Sequence, residues 1–150
     1  MTHTVRPATI DDLDLFVQFT ISEAIDAEGS EIGAKVREGV LTALEDNSYA
    51  TYWVLETEGV VIGNVSVVKE WSDWRAGYYW WIQSMFIEPG SRGKGLVKLL
   101  LDAIQREASA AGALELRLYV HKNNSGAISA YLKNGYSPSD YQIMTMPVGK

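Results

Sequence analysis

Residues 85–97 read Met85-Phe86-Ile87-Glu88-Pro89-Gly90-Ser91-Arg92-Gly93-Lys94-Gly95-Leu96-Val97, and no other stretch constrains the fold of this chain as much. A short apolar run stops at a proline. A basic, glycine-rich turn follows, and then Leu96, Val97, Leu99, Leu100, Ala103 and Ile104 recur at helical spacing. Strand, glycine turn and helix in that order build an anion site. The first N–H groups of a helix have no partner inside it, the helix dipole adds partial positive charge there, and glycine lets a phosphate approach the backbone closely. The turn is therefore expected to hold a phosphate-bearing ligand.

Two phosphate motifs fail on these residues. A Walker A loop needs G-x-x-x-x-G-K-[ST], but Gly93-Lys94 is followed by Gly95, and Glu88 stands where the leading glycine belongs. A dinucleotide fingerprint needs G-x-G-x-x-G; Gly93 and Gly95 fit, but Lys98 takes the third place. A third pattern fits better. Arg92-Gly93-Lys94-Gly95-Leu96-Val97 resembles the R/Q-x-x-G-x-G/A turn of the GNAT superfamily of N-acetyltransferases, with Val97 departing from the expected Gly or Ala. Downstream, Asn124, Ala127, Tyr131, Gly135 and Tyr136 resemble that family's second signature, N-x-x-A-x-x-x-Y-x-x-x-G-F/Y. With the flanking strands, the two motifs span residues 78–147. The N-terminal half is similar to the family only in its order of elements.

The resemblance implies a site. Arg92, Gly93, Lys94, Gly95, Leu96 and Val97 would cradle the pyrophosphate of acetyl-CoA, a cosubstrate, mainly through backbone N–H groups. Met85, Phe86 and Ile87 would pair their backbone with the pantetheine arm, and a main-chain N–H nearby would polarise the thioester carbonyl. Asn124 would contact the coenzyme or simply cap the last helix. Tyr131 would give a proton to the departing thiolate, since a phenol near pKa ~10 can protonate a thiolate whose conjugate acid is near ~8.5. Many members carry a Glu on the fourth strand as base, but this chain has Gln83 and Ser84 there, and neither can take a proton at neutral pH. Glu23, Asp26 and Glu28, reached through water, remain candidates beside their plain reading as solvated helix residues. His121 follows the fifth strand, and His3 has no assigned role.

The 150 residues read as one domain over 1–150, with 47% hydrophobic and 21% charged residues, long enough to bury a core. There is no cysteine, which excludes disulfides, a thiol nucleophile and thiolate metal sites. The two histidines give no metal spacing, so no metal is expected. No apolar run approaches the ~18 residues of a membrane span, and the first residues lack the apolar core of a signal peptide, so a cytoplasmic protein is expected. A net charge of −6 disfavours nucleic acid as a partner and mildly favours a cationic substrate.

Along the chain, the patterns predict a strand over 3–6 and a helix capped by Thr9. That helix bears Ile10, Leu13, Phe16, Val17, Thr20, Ile21, Ala24 and Ile25 on one face and closes at Gly29. A second helix, capped by Ser30, carries Ile32, Val36, Val40, Leu41 and Leu44. Next come a hairpin of 49–57 and 60–69 about Glu58-Gly59, a strand over 78–87, a helix over 94–110, a strand over 113–120, a helix from Asn124 or Ser125 to 133, and a last strand over 141–146. The order βααβββαβαβ is α+β with a mixed sheet. It matches the order of a GNAT-like fold, in which the fourth and fifth strands splay and the coenzyme lies between them. Trp71, Trp74, Tyr78, Tyr79, Trp80 and Trp81 form an aromatic group that would pack the core, bury a homodimer contact or wall an acceptor pocket.

The expected function is transfer of an acetyl group from acetyl-CoA to a primary amine by direct attack. A small cationic amine is favoured, and a peptide amine stays open. The alternative is a non-catalytic acyl-CoA-binding sensor or regulatory module, suggested by Val97 and by the missing strand-four Glu.

Overall fold

The computed structural model describes residues 2–28 and 34–149. Five strands form one sheet in the order β1 (His3–Pro7), β2 (Thr51–Thr57), β3 (Val60–Ser72), β4 (Gly77–Ile87) and β5 (Glu115–Leu118). The first three pairings are antiparallel and the last, β4 with β5, is parallel. That parallel pair needs a crossover, which is α3 (Leu96–Ala110). Helices α1 (Leu13–Glu28) and α2 (Val36–Glu45) join β1 to β2, and α4 (Ser125–Lys133) follows β5.

Alternation divides the core between the two faces of the sheet. Leu55, Val65, Val67, Trp80 and Ile82 meet Leu100 and Ile104 of α3 on one side. Val54 meets Phe16 of α1 and Val40 of α2 on the other. The buried stripe of α1 is rotated from the expected one: Leu13, Phe16 and Phe19 are buried, while Ile21 and Ile25 are exposed. Hydrophobicity favours all five equally; only the position of the sheet selects among them. The proposed closure at Gly29 and the cap and first apolar residue at Ser30 and Ile32 lie outside the described residues.

Arg6 of β1 grips the start of α1. Its guanidinium donates to both Asp12 carboxylate oxygens, at 2.9 and 3.0 Å, and to Glu56 at 2.6 Å. Asp12 also accepts from the Thr9 N–H at 2.7 Å, in a 3-10 turn over Ile10–Asp12 that precedes the helix. Asp12 is 7% exposed. The hydrogen bonds from Arg6 hold its carboxyl below the usual carboxylate range. A carboxyl depressed in the fold stabilises above its unfolded pKa, and that stability is lost as pH falls through the folded value. Asp12→Ala is expected to cost about 3 kcal/mol, because it leaves Arg6 partly buried with one partner fewer. Asp12→Asn should flatten the acid limb of stability below about pH 4. Urea unfolding from pH 7 down to pH 2 measures both effects.

The last predicted strand is not formed. Residues 137–149 pair with no strand among the described residues, and Tyr141, Ile143 and Met144 are 78%, 61% and 90% exposed. Alternation is a property of one segment, whereas a strand is a relation between two backbones. Pro138 and Pro147 withdraw two donors from this segment. The fifth strand is likewise shorter than the alternation over 113–120, and α3 starts at Leu96, two residues later than expected, because Gly95 is left-handed.

Candidate active site

β4 gives the site its shape. Its register against β3 runs Ser84 to Ser66 and then Ile82 to Val67, so Gln83 is an extra residue, a β-bulge. The bulge reverses which face each later residue serves. Before it, Trp80 and Ile82 join the α3 core; after it, Met85 and Ile87 do. Phe86 turns to the α1 side, where its ring lies 5.3 Å from that of Phe19. β5 follows β4 only from the Tyr79–Glu115 pair to the Ile82–Leu118 pair. Residues 83–87 continue without it, so the two strands part at this level.

At the end of β4 the chain turns through Pro89–Ser91 and Arg92 into α3. Gly93 and Gly95 adopt φ of 78° and 75°, the left-handed region that disfavours a side chain. A Cβ added at either would meet nothing within 4 Å, so open space adjoins the backbone there. The first helical bond runs from the Leu99 N–H to the Gly95 carbonyl, which leaves the N–H groups of residues 96–98 outside the helical ladder. Leu96 is buried, and Val97, partly buried, packs against the α3 core. The side chain that breaks the motif thus does not crowd the glycines. Left-handed glycines, open space and unclaimed N–H groups suit a pyrophosphate.

Arg92 is committed to the fold. Its Nε donates to the Ile87 carbonyl at 2.8 Å, its Nη2 to Asp26 of α1 at 2.9 Å, and its guanidinium lies 5.1 Å from the Phe86 ring centre. Lys94 is exposed. Asn124 caps α4, its Oδ1 accepting from the Ala127 N–H at 3.2 Å.

Tyr131, on α4, packs against the α3 core, and its ring centre is 5.7 Å from that of Tyr136. Burial pushes its phenol up to about 12, and the Glu23 charge adds to the rise. Glu23 comes from α1, and its Oε2 accepts from the Met85 N–H at 2.7 Å. One carboxylate therefore lies on the free edge of β4 and within electrostatic reach of Tyr131. The sequence placed Glu23 only at the end of a water chain. A sharper signal was available: Glu23 lies one turn beyond Phe19 on the buried stripe of α1, and a carboxylate on such a stripe needs a partner.

The other candidates fall elsewhere. Asp26 pairs with Arg92, and the side chain of Glu28 lies outside the described residues. His121 accepts from the Asn123 N–H through Nδ1 in its own loop, and His3 meets Thr57. No group of three or more metal-ligating side chains occurs among the described residues. Nor is any helix among them long and apolar enough to cross a membrane. The aromatic group is split as alternation requires. Trp80 is core, 6.2 Å from Trp53; Tyr79 and Trp81 flank Arg117; Trp71 and Tyr78 meet edge to face at 5.1 Å. Tyr78 is seven strand residues before Met85, about 23 Å along β4. A cavity of about 430 Å³ does adjoin the bulge, between α1, α2 and the sheet. Its walls include Phe16, Thr20, Tyr49, Tyr52, Gln83 and Ser84.

The chain belongs to the acetyltransferase (GNAT) family, whose model matches residues 19–136. It is accordingly an acyltransferase enzyme with the GNAT fold. A possible acetyltransferase from Clostridium difficile 630 superposes with a TM-score of 0.92 at 30% identity, over 100% of both chains. A predicted acetyltransferase from Clostridium acetobutylicum, solved with acetyl-CoA, superposes with a TM-score of 0.77 at 22% identity, over 97% of this chain and 96% of that one. A spermidine N(1)-acetyltransferase from Thermoplasma acidophilum is 38% identical over 56 residues, covering 37% of this chain and 35% of that protein.

Proposed function

We propose that this protein transfers the acetyl group of acetyl-CoA to a primary amine by direct attack, with Tyr131 as the general acid toward the coenzyme sulfur. The observation that carries the reading is the Glu23–Met85 bond beside Tyr131, which brings a main-chain donor, a carboxylate and a phenol together where β4 and β5 part. The turn from Arg92 through Gly93, Lys94, Gly95, Leu96 and Val97 holds the pyrophosphate through backbone N–H groups. The backbone of Met85, Phe86 and Ile87 aligns the pantetheine arm, and Asn124 completes the coenzyme site from α4. The coenzyme supplies the activated acetyl group; the chain binds it, excludes water and provides the proton for the leaving sulfur.

For the acceptor we propose a small cationic amine entering the cavity beside Gln83 and Ser84. The net charge of −6, the rings of Phe16, Tyr49 and Tyr52, and the likeness of one segment to a spermidine acetyltransferase support this choice. Val97 packs against the α3 core, which favours the enzyme over the sensor reading. The test is calorimetric titration of acetyl-CoA, followed by thiol release with spermidine, kanamycin, free lysine and a peptide N-terminus. Micromolar coenzyme binding with turnover of spermidine or kanamycin is expected. Binding without turnover of any of them would restore the sensor, and absence of binding would end both readings.

A further inference from the structure

We infer that Glu23 is the proton acceptor for the attacking amine, held on the Met85 N–H until the thioester carbonyl displaces it. This rests on the acetyl-transfer reading above. Two requirements of the reaction meet at one atom. The thioester oxygen gains negative charge during attack and needs a fixed donor, and the free edge of β4 offers the Met85 N–H. That donor is engaged by the Glu23 carboxylate at 2.7 Å. A thioester oxygen aligned on that N–H competes with the carboxylate for it, and so turns Glu23 away. Glu23 then stands beside the reacting carbon, with the oxygen that had faced Met85 turned toward the incoming amine. Tyr131 of α4 lies within electrostatic reach of Glu23, and the Asp26–Arg92 ion pair lies three residues further along α1. Residues 82–87 of β4 contribute none, and Gln83 and Ser84 cannot serve as the base.

The protons balance. The ammonium gives one proton to the Glu23 carboxylate, and the freed lone pair forms the C–N bond. The C–S bond then breaks with its electron pair on sulfur. Sulfur takes the Tyr131 proton, and the phenol recovers one from the nitrogen. Glu23 returns its proton to solvent, so the products are the amide, the free thiol and one proton.

The experiment uses the full chain and Glu23→Gln, whose amide oxygen can still accept from Met85 and so preserves the contact. With ¹⁵N label, the Met85 amide resonance is followed while acetyl-CoA or CoA is added. Acetyl-CoA is expected to move it in both proteins to a common position, distinct from the one that CoA, which lacks the thioester carbonyl, gives in wild type. Turnover of spermidine, or of the fastest amine in the panel above, is expected to fall about 10²-fold in Glu23→Gln at pH 7. That loss should shrink as rising pH leaves the amine neutral in solution. Acetyl-CoA that binds yet leaves the Met85 resonance where CoA leaves it overturns the inference. So does Glu23→Gln turnover within about threefold of wild type at every pH, or a protein that binds acetyl-CoA and acetylates no amine of the panel. The acetyl-transfer reading itself fails separately, through the absence of any heat with acetyl-CoA.

Discussion

Tyr131→Phe is expected to lower kcat by about two orders of magnitude or more, the usual effect of removing a positioned general acid. Acetyl-CoA affinity should stay within about threefold, since a lost hydroxyl at the sulfur removes an interaction made mainly during bond breaking. Burial is the main reason the phenol is pushed up to about 12, with the Glu23 charge second. The hydroxyl therefore keeps its proton throughout the physiological range, as an acid must. An acid held that high gives its proton only when another proton replaces it, and the nitrogen that has just bonded to carbon provides one. Thiol release under saturating amine, with calorimetry for the coenzyme, separates the two parameters. If Tyr131 merely packs against Tyr136 and the α3 core, Phe preserves the packing and kcat does not move.

Arg92→Glu is expected to weaken acetyl-CoA binding by about 10²- to 10³-fold. Losing one charge-assisted contact to phosphate costs about 1.5–3 kcal/mol, and a carboxylate in its place adds repulsion; each 1.4 kcal/mol is about tenfold in affinity. Arg92 also bonds to the Ile87 carbonyl and to Asp26, so the variant could lose the shape of the turn rather than its charge. Asp26→Asn distinguishes these. It removes the ion pair and keeps the cation, so acetyl-CoA affinity should hold or tighten. If Asp26→Asn weakens binding as much as Arg92→Glu does, the role of Arg92 is to brace α1 against the turn, and the pyrophosphate is held by backbone alone. Thermal unfolding of both variants monitors the fold.

Much of the site could be read from local sequence. The glycine turn is legible because a left-handed backbone and a bare N-terminus are local demands that glycine meets, and Gly93 and Gly95 meet them. Asn124 and Tyr131 fall at the cap and on the body of α4 as the motif spacing predicts, while the roles proposed for them come from the resemblance. Val97 departs from the motif, and its partly buried side chain packs against the core. Glu23 is the opposite case. As a residue near a helix end it looks solvated, and only the crossing of α1 over β4 brings it to Met85, 62 residues away in sequence.

The chain by itself determined the α+β class, the order of elements as far as α4 and the left-handed glycine turn that opens α3. Each depends on neighbours a few residues apart, where periodicity and backbone preference act directly. The tertiary structure alone decided the bulge at Gln83, the parting of β4 from β5, the rotated stripe of α1, the pairing of Glu23 with Met85 and the unpaired stretch 137–149. These depend on which backbones meet. The same alternation that makes a strand at 78–87 leaves 141–146 without one, because pattern sets what a segment can bury and only a neighbour supplies somewhere to bury it.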